Sequence, residues 1–96
     1  FFDIPVLTKK QQRDYRHFVK DIMKMGFYRI QESVFVKMSI DFHMAHSMED
    51  RVKKVAPKEG NIFLLTITEK QFSEMVIILG ELVSDIESSD NRIIEI

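Results

Sequence analysis

The sequence predicts an α+β fold in one small domain. Two segments show the 3.6-residue apolar period of helices, and four shorter segments are rich in aromatic and β-branched residues. Their order along the chain is strand, helix, strand, strand, helix, strand. A chain of 96 residues supports one domain with a thin core, and its eight Phe and six Met are enough to cover a partner surface as well.

The first strand is predicted in the opening sequence FFDIP, where it ends at Asp3. A start this apolar, without an initiator Met, predicts that some upstream residues of the strand are absent. Thr8 and Gln11 have the spacing of a capping box, which predicts that a helix begins there. Gly26 supplies the end of this helix.

The two faces of this helix differ in charge. Its apolar face, which has the spacing of a helix packed on a core, carries Tyr15, Phe18, Val19, Ile22 and Met23. The opposite face has five cations spaced three or four residues apart, namely Lys9, Arg13, Arg16, Lys20 and Lys24.

Two adjacent strands are predicted after the helix. Residues 27–31 and 33–40 are rich in aromatic and β-branched side chains, and apolar residues alternate along the second segment. A turn is expected near residues 31–33.

The rest of the domain is predicted from periodicity and from breakers. A second helix fits residues 43–56 and is ended by Pro57 and Gly60. The nearly continuous apolar run at residues 62–68 predicts a strand buried on both faces or in the centre of the sheet. A short helical turn is predicted at residues 69–75.

This order of elements is that of the ferredoxin-like fold, a βαββαβ sandwich with an antiparallel sheet and both helices on one face. The other face of the sheet would expose Phe and Met side chains to water. The sequence therefore predicts a homodimer in which two copies pack face to face. Residues 1–80 are assigned to this domain. Residues 81–96 are predicted to form a polar linker and a C-terminal strand, RIIEI, that completes a sheet edge in the dimer.

Composition and missing motifs exclude several classes of protein. There is no Cys, which excludes disulfides and thiolate metal sites. No apolar run approaches the roughly 20 residues of a membrane span, and no signal-peptide pattern is visible, so we expect a soluble cytoplasmic protein with no membrane partner. The lack of a Gly-rich phosphate loop and of a G-x-S-x-G motif excludes the common nucleotide-binding and acyl-transfer enzymes.

Charge is distributed unevenly along the chain. Residues 1–58 carry 12 Lys or Arg against 7 Asp or Glu, whereas residues 59–96 carry 2 against 8, for a net charge of −1. The five cations on the first helix are therefore candidates for binding a nucleic-acid backbone, extended by Arg29 and Lys37 from the next strands. The alternative interpretation is an ordinary solvated helix face.

Asp3 is the candidate acidic site residue. One interpretation is a turn-forming acid in Asp-Ile-Pro. The other is a metal ligand, but a single carboxylate holds Mg²⁺ poorly. A two-fold axis that places Asp3 beside its own copy would supply a second carboxylate and a reason for a divalent cation. His43 and His46 are three residues apart, but without a Cys or a third ligand their spacing predicts a surface or helix-start role.

Four blocks of sequence, in order, resemble one known family. They are FDIP, the helix with Tyr15, Arg16 and Phe18, the segment GFYRIQESVF, and above all PKEGNIFLLTITEKQF. Together they are similar to the CRISPR-associated Cas-two (Cas2) family, specifically to its branch found beside Cas-nine, over essentially the whole chain.

The resemblance implies a ferredoxin-like homodimer in which Asp3 is the metal-linked and catalytic residue, paired with its symmetry mate around Mg²⁺. It also implies a role in adaptation, in which the dimer sits between two dimers of the Cas-one (Cas1) integrase and holds double-stranded prespacer DNA. Family members are described as Mg²⁺-dependent nucleases. The matching nucleic-acid-binding positions are Arg29, Phe35 and the cations of the first helix.

Two functions of different classes follow. The first is a scaffold without catalysis that binds duplex DNA by its phosphates and organises the integrase. The second is a Mg²⁺-dependent endonuclease, a phosphodiesterase acting on RNA or DNA through paired Asp3 residues. We favour the scaffold because no His and no evident general base accompany the acid pair.

Overall fold

A computed structural model of the chain describes residues 1–82. The mixed α+β fold and the predicted order of strands and helices are confirmed, and the arrangement is compatible with the ferredoxin-like fold. The elements are β1 (Phe2–Asp3), α1 (Lys9–Lys24), β2 (Tyr28–Gln31), β3 (Val34–Val36), α2 (Phe42–Val55), β4 (Asn61–Ile62) and α3 (Glu69–Ser73). The predicted C-terminal strand and most of the predicted linker lie outside the described residues.

Helix α1 begins where its sequence predicts. The Gln11 N–H donates to Thr8 Oγ1 over 3.0 Å, and the Thr8 N–H donates to Gln11 Oε1 over 3.0 Å, which completes the capping box. Phe18 and Ile22 are buried as predicted. Met23 was predicted on the same apolar face, but 40% of it is exposed because it lies at the edge of that face.

Helix α2 is offset by one residue from its predicted bounds. It starts at Phe42 because the Asp41 carboxylate accepts a hydrogen bond from the Met44 N–H over 2.8 Å and thereby caps the helix. Met48 and Val52 are its buried residues. The predicted turn near residues 69–75 is helix α3, and its first turn is held by a second capping box.

The four strands form two antiparallel ladders in place of one continuous sheet. Strand β1 pairs with β4, and Phe2 lies opposite Ile62. Strand β2 pairs with β3, and Arg29 lies opposite Phe35. A single backbone hydrogen bond, from the Phe2 N–H to the Ser33 carbonyl over 3.1 Å, links β1 to the β2–β3 hairpin.

The hydrophobic core joins β1 to both long helices. The Phe2 ring contacts the Phe18 ring edge to face, with 5.3 Å between the ring centroids. Ile4, Ile22 and Val52 complete the buried cluster. The core therefore fixes β1, and with it Asp3, relative to α1.

The prediction of a buried strand at residues 62–68 is wrong for this chain. Strand β4 ends at Ile62, and residues 63–71 are exposed. The ladder is short because, within residues 1–82, β4 pairs with β1, which is itself two residues long. Beyond it, the Phe63 N–H donates to the Phe1 carbonyl and the Phe1 amino group donates to the Phe63 carbonyl. An apolar run does not form a strand unless another strand supplies its hydrogen bonds.

The segment that follows β4 carries many large apolar side chains on the surface. The exposed ones are Phe63, Leu64, Leu65, Ile67, Met75, Val76, Ile77, Ile78 and Leu79. Large apolar side chains exposed in such number along one segment are typical of an interaction site. The homodimer stays a prediction.

Candidate nucleic-acid interface and acidic strand end

Helix α1 presents a row of cations on the side away from the core. All five are exposed, and none forms an ion pair with another of residues 1–82. We call this row the cationic face; it consists of Lys9, Arg13, Arg16, Lys20 and Lys24. Its charges are thus available to a polyanion.

Asp14 lies on the same helix but is paired with a lysine outside the cationic face. Lys10 Nζ donates to Asp14 Oδ2 over 2.9 Å. This hydrogen bond, helped by the charges of Lys10, Arg13 and His17, lowers the pKa of Asp14. The pair is exposed and adds little stability, and it engages the Asp14 carboxylate with a lysine outside the cationic face.

A shallow groove of about 550 Å³ opens beside the cationic face. Its apolar lining comes from one edge of α1, at a spacing of four residues: Tyr15, Val19 and Met23. Its cationic lining consists of Arg16, Lys20 and Lys24 from α1 and Arg29 from β2. No acidic residue is among the residues that line it, so the whole groove favours an anion.

The β2–β3 hairpin brings Arg29 and Phe35 together. The Arg29 Cζ atom lies 5.0 Å from the centroid of the Phe35 ring, which is a cation–π contact. Phe35 is half-buried, and its ring stacks on Phe2 with 5.6 Å between centroids. Sequence analysis placed Phe35 among the nucleic-acid contacts, whereas within the chain its ring packs against the core and Arg29.

Lys37 lies at the far end of α1. A Cβ atom placed on Gly26 would lie 2.6 Å from Lys37 Nζ, so the ammonium group is at the C-terminal end of the helix. Cations are stabilised there by the helix dipole. Lys37 is half-buried at this position.

Asp3 has a fixed backbone and a free carboxylate. It is the last residue of β1, lies opposite Asn61 and is exposed. Gly60 packs on its main chain, where a Cβ atom would come within 2.7 Å of the Asp3 carbonyl oxygen. Among residues 1–82, no side chain forms an ion pair with the Asp3 carboxylate.

Comparison with known proteins decides the family. Residues 1–75 match the family model described as CRISPR associated protein Cas2. The chain belongs to the Cas2 family. It is 40% identical over 93 residues to a Cas2 protein of Streptococcus mutans serotype c (strain NN2025), an alignment that covers 97% of this chain and 87% of the relative.

Two further Cas2 relatives are similar over nearly their whole length. A protein of Treponema denticola is 36% identical over 94 residues, which covers 98% of this chain and 93% of the relative. One of Lacticaseibacillus rhamnosus is 37% identical over 95 residues, covering 99% and 94%. All three relatives carry the name CRISPR-associated endoribonuclease Cas2. The branch beside Cas-nine stays a prediction.

Residues 1–82 of a single copy of this chain do not by themselves fit a magnesium site. Residues 1–82 contain no group of three or more His, Cys, Asp or Glu side chains that is placed to hold a metal ion. Asp3 offers one carboxylate, whereas Mg²⁺ needs several oxygen ligands. His46 Nδ1 lies 3.5 Å from Glu49 Oε1 on α2, and no third His, Asp or Glu side chain among the described residues joins this pair to form a metal site.

Helices long and apolar enough to cross a membrane are absent from the described part of this Cas2-family chain.

Sequence reasoning missed two features of this site. Tyr15 and Met23 are predicted on the core face of α1; Tyr15 does pack against the core, but both residues also line the groove. Their spacing along the edge between the apolar and the cationic residues was the available signal. The sequence predicts Gly60 only as a residue that ends a helix, because nothing in the local sequence indicates its contact with the main chain of Asp3.

Proposed function

We propose that this Cas2-family chain acts in CRISPR adaptation as a homodimeric scaffold that binds duplex DNA by its phosphates and bridges Cas1 integrase dimers during spacer acquisition. The observation that carries the proposal is the cationic face, whose five exposed charges lack ion-pair partners among residues 1–82. Regularly spaced, unpaired cations suit a regularly charged polymer, and the phosphate contact needs no base recognition.

The role of the second copy follows from the exposed apolar segment after β4. A homodimer that covers this segment would place two cationic faces on one particle and so double the length of duplex it contacts. It would also give two equivalent surfaces for Cas1. The exposed apolar side chains of residues 63–79 are the support for this part of the proposal.

The salt dependence of duplex binding tests the scaffold. If each cationic face neutralises about five phosphates, the logarithm of the affinity should fall with the logarithm of salt concentration with a slope of about −4.5 for one face, and of about −9 for a homodimer whose two faces contact one duplex. Between 50 and 200 mM salt, affinity would then drop roughly 500-fold through one face and by about the square of that factor through both faces. Fluorescence anisotropy with labelled duplexes of two unrelated sequences measures both values. A slope near zero, or a strong preference for one sequence, would contradict the proposal.

A second candidate is a Mg²⁺-dependent endonuclease. The observation that favours it is the exposed carboxylate of Asp3, free of ion pairs among the described residues, on a backbone held by Gly60. The relatives' printed name, endoribonuclease, points the same way. Two Asp3 residues from two copies would hold the ion, which when bound would activate water and stabilise charge on a phosphate.

Substitution of Asp3 separates the two candidates. The endonuclease predicts that Asp3→Asn lowers metal-dependent cleavage of RNA or DNA at least 100-fold, because the amide is a much weaker metal ligand. Affinity for duplex DNA should change less than twofold. Asp50→Asn, at an exposed acid of α2, is the matched control. Cleavage that persists in Asp3→Asn protein would exclude the endonuclease and leave the scaffold intact.

A further inference from the structure

Arg29 is the one cation of the groove that does not come from α1. It lies on β2 directly opposite Phe35 on β3, and cross-strand neighbours of this kind are close enough for their side chains to interact. Its guanidinium carbon lies 5.0 Å from the Phe35 ring centroid. The other groove cations, Arg16, Lys20 and Lys24, have no aromatic contact of this kind among the described residues.

The Phe35 ring is itself immobilised by the core. It stacks on Phe2 at 5.6 Å with an angle of 26° between the ring planes, and Phe2 packs edge to face on Phe18. Phe2 is 8% exposed and Phe18 only 2%. A row of rings thus leads from the middle of the core to the guanidinium of Arg29.

The Nε atom of Arg29 is buried and has no hydrogen-bond partner among residues 1–82. Burial of a charged donor without a partner is costly, and the contact with the Phe35 ring offsets part of this cost. Arg29 also lines the groove with three cations of the cationic face. A phosphate entering the groove would therefore meet a guanidinium whose orientation is already set.

We propose that Phe35 is a positioning residue, which affects nucleic-acid binding only by holding the Arg29 guanidinium at the groove and does not itself contact the nucleic acid. This proposal rests on the proposed duplex-binding function and adds a specific arrangement to it. Holding an arginine in place before binding lowers the entropy lost when it meets a phosphate. Phe35 stays half-buried against the core in this arrangement.

A double-mutant cycle tests the positioning role. Duplex affinity is measured by anisotropy for wild type, Phe35→Leu, Arg29→Gln and the double variant. We expect Phe35→Leu to weaken binding about fivefold, which corresponds to a cation–π contact. In the Arg29→Gln background the same substitution should change affinity less than twofold, because the residue through which it acts is gone.

Conservative and structural controls accompany the cycle. Phe35→Tyr keeps the ring and should bind within twofold of wild type. Phe27→Leu removes another half-buried ring that packs against the core, and it should lower stability without weakening duplex binding. Equal losses from Phe35→Leu with and without Arg29 would overturn the proposal, as would weakened binding in Phe27→Leu.

The free protein provides a readout that needs no nucleic acid. A ring 5.0 Å from the guanidinium should shift the proton resonances of the Arg29 side chain upfield. The shift should persist in Phe35→Tyr and vanish in Phe35→Leu. Its absence from wild type would overturn the positioning role alone. Wild-type protein that binds no duplex would instead refute the proposed function, and the inference with it.

Discussion

Reversal of three charges on the cationic face should nearly abolish duplex binding. In the variant Arg13→Glu, Arg16→Glu, Lys20→Glu, each substitution removes one phosphate contact and adds a repulsion. We expect affinity at 50 mM salt to fall roughly 100-fold or more, and the salt slope to be smaller in magnitude by about 3 for each cationic face that contacts the duplex. Anisotropy with a duplex measures both, and spacer capture in cells should be lost with them.

Helix α2 offers a control with the same change in net charge. Arg51, Lys53 and Lys54 are all exposed, and their replacement by Glu alters the charge of the chain by the same amount. If position matters more than total charge, this second variant should keep most of its duplex affinity. An equal loss of duplex affinity in both variants would show a general effect of net charge and would contradict a specific role of the cationic face. Spacer capture that survives in the α1 variant would contradict the scaffold directly.

Replacement of Gly60 by Ala should be strongly destabilising. Gly60 has φ of +105°, and an added Cβ atom would lie 2.7 Å from the Asp3 carbonyl oxygen and 3.0 Å from the Ile4 Cα atom. Both are main-chain atoms, which cannot rotate aside. Backbone strain and overpacking together predict a loss of about 3 kcal/mol in the free energy of unfolding. The melting temperature should fall by about 12 to 24 °C.

Gly80→Ala is the matched control for this prediction. Gly80 has a similar φ of +96°, but no heavy atom of residues 1–82 lies within 4 Å of an added Cβ. It therefore carries the backbone strain alone, about 1 kcal/mol. Calorimetry of both variants at one protein concentration separates strain from contact. Equal decreases in melting temperature would show that the approach of Gly60 to β1 does not limit stability.

The helices were predictable because their signals are local. Thr8 and Gln11 satisfy each other's backbone groups within one turn, and the buried positions of α1 follow from a period that the sequence shows directly. The start of α2 shifted by one residue for an equally local reason, the capping carboxylate of Asp41. Neither helix requires knowledge of the rest of the fold.

The strands were predicted less well because their length depends on a partner. Residues 62–68 have strong β propensity, yet only Asn61 and Ile62 form a ladder. Propensity describes what a segment tolerates, whereas a strand also needs hydrogen bonds from elsewhere in the chain. The sequence therefore predicts which segments tolerate an extended conformation better than it predicts how these segments pair in a sheet.

The parts of the candidate site that lie on one helix were predictable from sequence, whereas the parts that join separate elements were not. The cationic face is a periodic pattern on one helix, so its members could be named from spacing alone. The groove and the contact of Arg29 with Phe35 join separate elements, and they become visible only in three dimensions. Asp3 was identified from its place at the end of a strand, but its support by Gly60 depends on a contact between distant residues.

The β2–β3 ladder contains one irregularity, between Arg29 and Gln31. Such a bulge adds one residue to one strand only, and neighbouring side chains of a strand face opposite sides. A hairpin that gained or lost a single residue would thus turn Arg29 away from Phe35, even though both residues were kept. During evolution the tip of this hairpin should exchange its amino acids freely while its length stays constant.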